Sequence, residues 1–103
     1  MSTDTEIRDA ADEQRFVYVE DGHEAELTYE VEGDRLLLTH TGVPEALGGR
    51  GIGGRLVAAA LARAVERGET LVPWCPYARG WLEKHPDEAA AATIDWTPPP
   101  ERS

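Results

Sequence analysis

Leu47-Gly48-Gly49-Arg50-Gly51-Ile52-Gly53-Gly54-Arg55-Leu56 is the stretch on which the reading of this chain turns. Before it, apolar residues recur every second position. After it, they recur at helical spacing, so the glycines mark a switch from strands to a helix. Ile52, Leu56, Val57, Ala60, Leu61, Ala64 and Val65 form one apolar stripe, with Arg55, Arg63, Glu66 and Arg67 off it. Gly68 is a suitable C-terminal stop, and Arg67 in the last turn complements the helix dipole. The spacing predicts a helix over Ile52 to Arg67.

Upstream, Ala25, Leu27, Tyr29 and Val31 alternate with Glu24, Glu26, Thr28 and Glu30, the pattern of a strand with one wet face. Phe16 to Glu20 is a shorter strand ahead of it, closed by the Asp21-Gly22 turn signal. Arg35 to Thr41 follows the Glu32-Gly33-Asp34 turn as a third strand, so the first half reads as an antiparallel meander. Downstream, Glu69 to Trp74 is a fourth strand, with Pro73 near its end because proline cannot donate to a ladder. Strand, helix and returning strand make a right-handed crossover if the third and fourth strands are parallel. Pro76 suits the first turn of a second helix running to about Lys84, and His85-Pro86 interrupts it. Asp87 to Ala92 is a further helical turn. The whole is a single α/β domain over 15–96, with an acidic flexible tail at 1–14 and a proline-rich tail at 97–103.

Five glycines among seven residues at a helix start need a physical reason, because each costs up to about 1 kcal/mol relative to alanine inside a helix. One reason is close approach of a ligand to bare backbone. The first amides of a helix have no intrahelical partner and the dipole there favours negative charge, so the run can cradle a phosphate. Arg50 and Arg55 could add charge-assisted contacts. The competing reading is a flexible loop, or a helix packed tightly against the sheet. A Walker A loop is excluded, since Gly54-Arg55 stands where lysine and a hydroxyl residue are required. Gly49, Gly51 and Gly54 have the spacing of a dinucleotide fingerprint. However, a loop separates them from the preceding strand and too little chain follows for a doubly wound sheet.

The 103 residues suit one domain, 41% are hydrophobic, and the formal charge is −10. Asp and Glu crowd residues 1–34, whereas Arg50, Arg55, Arg63 and Arg67 make 45–67 locally basic. That distribution argues against nucleic acid and suits a small anion. No apolar run approaches the roughly 18 residues that span a bilayer, and the polar, acidic start lacks a secretory signal. With Cys75 as the one cysteine, a cytoplasmic location is expected. His23, His40 and His85 show no metal-ligand spacing, so no metal is expected.

The glycine run resembles the (Gln/Arg)-x-x-Gly-x-(Gly/Ala) motif of the GNAT superfamily of N-acetyltransferases, with Gly48-Gly49-Arg50-Gly51-Ile52-Gly53 aligned to it. Gly48 departs from the Gln or Arg of the first position, which removes a side-chain contact but leaves the amide cradle. His40-Thr41-Gly42-Val43-Pro44, Gly49 to Gly53, Pro73-Trp74-Cys75-Pro76-Tyr77 and His85-Pro86, in that order, resemble the minimal GNAT-like family of about 100 residues. The resemblance implies a GNAT-like fold and acetyl-CoA as cofactor. Val43, Gly48, Gly49, Arg50, Gly51, Ile52, Gly53, Gly54 and Arg55 would lie around it. It further implies acetyl transfer to an amine, with suspicion of catalytic roles falling on His40 and Cys75.

His40 shares strand parity with Leu36 and Leu38, so it reads either as a hydrogen-bonded core residue or as a general base. Cys75, just before a helix, reads either as a thiolate that takes the acetyl group or as a small buried hydrophobe. A Cys/His pair requires the parallel strands to bring the two together. Tyr77 corresponds to a tyrosine that protonates the departing thiolate in larger family members, and reads equally as core packing. Trp74, Trp81 and Trp96 read as core or rim aromatics. The rival to an enzyme is a non-catalytic CoA-binding or interaction module, because the chain lacks the extra elements that hold acceptors in longer transferases. The acceptor is not legible, and a monomer or weak homodimer is expected.

Overall fold

The computed structural model describes residues 7–100. One sheet runs in the order β1 (Arg8–Ala10), β2 (Arg15–Glu20), β3 (His23–Glu32), β4 (Arg35–Gly42), β5 (Thr70–Pro73) and β6 (Thr93–Ile94). The first four strands are antiparallel neighbours, while β4–β5 and β5–β6 are parallel. Helix α1 (Ile52–Arg67) is the crossover between the parallel strands β4 and β5. Helices α2 (Pro76–Lys84) and α3 (Pro86–Ala89) carry the chain from β5 to β6. The expected meander, long helix and parallel return are therefore present.

Period-two alternation puts Phe16, Tyr18, Ala25, Leu27, Tyr29, Leu36, Leu38 and Leu71 on the sheet face that meets the helices. Leu56, Val57, Ala60, Leu61 and Ala64 of α1 pack against them, joined by Ala78 and Leu82 of α2. Gly68 ends α1 in the left-handed conformation, and the Glu69 amide donates to the Ala64 carbonyl, as a glycine stop should. Pro76 opens α2 at a position where its missing N–H costs nothing.

Elements near both ends depart from expectation, the strand β6 among them. Residues 8–10 form a strand paired with β2, and a 3-10 turn follows over Ala11–Glu13, where a loose tail was expected; residues 1–6 lie outside the described residues. The tie is polar. Asp9 accepts from the Tyr29 hydroxyl and from Arg63, a contact between remote elements that an acidic composition hides. Arg63 itself, expected on the wet side of α1, is only 9% exposed. Its guanidinium meets Glu69 through Nε at 3.1 Å and Nη2 at 3.0 Å, and reaches the Tyr29 hydroxyl at 2.9 Å. This network satisfies its members, which is what allows a charge to be buried there.

Candidate functional site: a glycine-walled cavity where two parallel strands part

The parallel ladder ends at Leu38 opposite Pro73, yet β4 continues to Gly42. Pro73 has no N–H to extend the pairing, and the chain turns so that the Cys75 amide donates to the Leu38 carbonyl at 2.8 Å. The edge of β4 past Leu38 is thus left without β5. In the gap lies a cavity of about 370 Å³, bounded by Thr41 and Val43 on the strand side and by the glycine run and Tyr77 on the other.

The mouth of α1 faces this cavity. Its first intrahelical bond runs from the Arg55 amide to the Gly51 carbonyl, so the amides of Ile52, Gly53 and Gly54 precede any helical acceptor. Gly51 caps the helix at φ 72 and Gly49 stands at φ 77, backbone states that β-carbons disfavour. Gly48, Gly49, Gly51, Ile52 and Gly53 line the cavity together with Val43.

Gly53 and Gly54 have a second reason to be glycine. A β-carbon on Gly53 would stand 2.7 Å from the Tyr77 hydroxyl, and one on Gly54 would collide with the indole nitrogen of Trp81. The tight packing of α2 on α1 therefore accounts for two of the five glycines, a helix–helix contact in place of the packing against the sheet raised from sequence. Gly54 does not line the cavity.

The two arginines expected at a phosphate are engaged elsewhere. Arg50 pairs with Glu20 at the end of β2. Arg55 lies over the Tyr18 ring, 5.2 Å from its centroid. The Tyr18 hydroxyl donates to Glu20, and that bond, followed by Arg50, holds the Glu20 carboxyl below the usual carboxylate range. The cavity wall is consequently backbone and apolar, with Glu45 and Tyr77 its titratable side chains.

The Cys/His pair that was conditional on the parallel strands does not form. A bulge in β4 leaves Thr39 as an extra residue, with Thr28 opposite His40 but Tyr29 opposite Leu38. Beyond it the alternation is reversed, so His40 leaves the face of Leu36 and Leu38 and is exposed. Its ring stands near Gly42 and Glu26, on the sheet face away from α1. Thr41 takes the inward place and its hydroxyl meets the Cys75 sulfur at 3.1 Å. Cys75 is 4% exposed and packs within the hydrophobic core, behind Thr41 from the cavity. Tyr77, by contrast, is 47% exposed and walls the cavity, so the core-packing reading does not hold for it. Thr41 was missed from sequence, because a bulge gives no signal in residue alternation. Of the block His40 to Pro44, Thr41, Val43 and Pro44 line the cavity.

Among the described residues, no group of three or more His, Cys, Asp or Glu side chains is placed to hold a metal, and no helix is long and apolar enough to cross a membrane.

No curated protein is significantly similar to the chain. Among solved structures, it resembles the solution structure of a GCN5-like protein from Staphylococcus aureus, which is itself assigned rather than demonstrated as an N-acetyltransferase. The two share 28% identity over 92% of this chain and 94% of the other, with a TM-score of 0.69. The family model for GCN5-related N-acetyl-transferases matches residues 15–91, a span that includes the splayed strands, the glycine run and Tyr77. The chain thus belongs to the GCN5-related N-acetyltransferase family.

Proposed function

We propose that the protein binds acetyl-CoA in the cavity between β4 and α1 and transfers the acetyl group to an amine by direct attack. The observation that carries this reading is the coincidence of three features at one cavity. The partnerless amides of Ile52 and Gly53 face it, an unpaired edge of β4 forms one side, and the Tyr77 hydroxyl stands at its wall. The family normally uses acetyl-CoA, and each feature matches one part of that molecule. The pyrophosphate takes the helix mouth, where orphan donors and the dipole favour an anion. The pantetheine amides extend along Thr41 and Val43 as a further strand would.

The amine nitrogen attacks the thioester carbonyl, and the oxyanion that develops accepts from backbone N–H groups at the open edge of β4. Collapse breaks the carbon–sulfur bond, and the Tyr77 hydroxyl gives its proton to the leaving thiolate. The amine's own proton passes to solvent, from which the Tyr77 hydroxyl is reprotonated. Cys75 takes no acetyl group in this scheme, because it lies behind Thr41. His40 stands on the other face of the sheet and forms no nucleophilic pair. The reading carries with it a cytoplasmic location, where the cofactor is supplied, and a monomer or weak homodimer.

The test is titration of the protein with acetyl-CoA, following the backbone resonances of Gly49 to Gly54, with Gly51→Glu as the control. Glutamate there is strained by the positive φ and brings negative charge to the cradle. Shifts in the wild type that vanish in a folded Gly51→Glu variant support the cradle. Resonances unmoved at millimolar ligand refute it. Amine-dependent release of free thiol then separates an enzyme from a binding module, since binding without release across many amines would leave only the module.

A further inference from the structure

The apolar arc of α1 is wider than the core uses. Leu56, Val57, Ala60, Leu61 and Ala64 make up the side that packs within the core. At about 100° per residue, Ala58, Ala62 and Val65 carry the arc roughly another 100° past Leu61. A helix lying on a single sheet carries polar residues on such a flank. Here Val65, part of the stripe read from sequence, is 47% exposed, and Ala62 is exposed beside it.

This flank is one wall of a groove of about 400 Å³, whose apolar lining is completed by Trp81 of α2 and by Ala91, just past α3. Positions 58, 61, 62, 65 and 66 lie three and four apart, so they share one face along about 12 Å of helix. The groove has no lining residue in common with the cavity at the mouth of α1, so the transfer scheme does not account for it. Its charged residues are both acidic. Glu66 and Glu88 line it, and neither forms an ion pair among the described residues. No arginine, lysine or histidine lines it.

We propose that this groove docks a basic amphipathic helix of a second protein. Its aliphatic side chains lie against Ala58, Ala62, Val65 and Ala91, and its lysines or arginines meet Glu66 and Glu88. Alanine walls let a helix axis come close, since interaxial distance is set by the side chains at the contact. Charge selects this occupant over the others. Two copies of this chain meeting groove to groove would gather four carboxylates in one interface, because a two-fold contact puts the same patch on both sides. The formal charge of −10 opposes that pairing further. Of the segments outside the described residues, 1–6 carries Asp4 and Glu6 and no basic residue, and 101–103 is three residues long. An anionic lipid surface is repelled by the same carboxylates.

The probes are two synthetic helical peptides of about 18 residues, long enough to hold a helix. Both carry a leucine stripe at helical spacing, flanked by lysine in one and by glutamate in the other. Each is titrated into the full chain at low salt while backbone and methyl resonances are followed. The lysine peptide should shift Ala58, Ala62, Val65 and Ala91 saturably and leave Gly49 to Gly54 unmoved. It should bind about tenfold more tightly than the glutamate peptide, with the gap narrowing as salt rises. Replacing its leucines with serine should abolish binding. Ala62→Gln, which keeps the charge and suits a helix, should weaken the lysine peptide about tenfold. Glu66→Lys combined with Glu88→Lys should turn the preference to the glutamate peptide. Groove resonances unmoved at millimolar lysine peptide would overturn the proposal, as would equal binding of the two peptides. So would binding that survives the serine peptide or Ala62→Gln. Shifts of the same residues on concentrating the chain alone would assign the groove to a second copy, and shifts with phosphatidylglycerol vesicles but not with the peptide would assign it to a membrane; either result overturns the basic helix.

Discussion

Replacing Gly53 and Gly54 with alanine, one at a time, separates two explanations of the glycine run. Helix propensity alone says that each change should stabilise, by up to about 1 kcal/mol and less in the first turn. The packing of α2 says that they should part. At position 53 the new β-carbon would stand 2.7 Å from the Tyr77 hydroxyl oxygen, against ordinary contact at 3.4 Å and beyond, so the ring must yield by about 0.7 Å. Tyr77 is 47% exposed and meets the intruder with the far end of its side chain, so it can swing outward. Gly53→Ala should therefore lie within about 0.5 kcal/mol of the wild type. At position 54 the β-carbon runs into the Trp81 indole nitrogen. Trp81 is also stacked on the His85 ring, at 4.0 Å and 16°. Overpacking a restrained site costs about 1–3 kcal/mol, which exceeds the propensity gain and leaves a net loss of about 1–2 kcal/mol. For a domain of this size that is roughly 5–15 °C in Tm. Thermal and urea unfolding followed by circular dichroism would measure it. A Gly54→Ala variant as stable as the wild type would refute the packing argument, as would a Gly53→Ala variant that loses as much. Gly53→Ala carries a functional consequence as well: turnover should fall as the hydroxyl leaves the cavity wall, with acetyl-CoA affinity less affected.

Three further outcomes follow from named contacts. Cys75→Ala should keep acetyl transfer within about twofold and cost roughly 1 kcal/mol of stability, and mass spectrometry of the wild type with acetyl-CoA should find no acetyl group on Cys75; a labelled thiol would sink the direct-attack scheme. Arg63→Met removes the cation that Asp9, Tyr29 and Glu69 share and should lower unfolding free energy by about 2–4 kcal/mol in denaturant titration, a loss of under 1 kcal/mol contradicting the network. Burial, then the hydrogen bond to Asp9, pushes the Tyr29 phenol from 10.0 up to about 12. The folded state thus holds a proton that the unfolded state releases, so this contribution is fully present below about pH 10 and is lost as pH rises toward 12. Tyr29→Phe should flatten the fall of stability across that window, and an absorbance titration showing Tyr29 ionising near pH 10 in the folded protein would count against it.

Local patterns carried most of the architecture. The stripe from Ile52 to Val65 and the Gly68 stop define a helix whose ends match those observed, because a 16-residue amphipathic run has a single face to bury. Strand β3 declared its inward side through Ala25, Leu27 and Tyr29, all buried. The two-residue β6 had no such signal, since a strand that short presents no alternation to read. The glycine run was legible as a helix mouth, but Arg50 and Arg55 were not legible as partners of Glu20 and Tyr18, residues far away in sequence.

Periodicity, turn residues and composition determined the order of β2, β3, β4, α1, β5 and α2 and the position of the partnerless amides, because these depend on neighbours within a few residues along the chain. The tertiary structure alone decided which side chains reach the cavity. A single inserted residue at Thr39 exchanged His40 for Thr41 on the inner face, and the approach of α2 to α1 set Tyr77 at the cavity wall and Cys75 behind it. Such outcomes depend on register and on contacts between remote segments, which are settled only when the sheet and helices pack together.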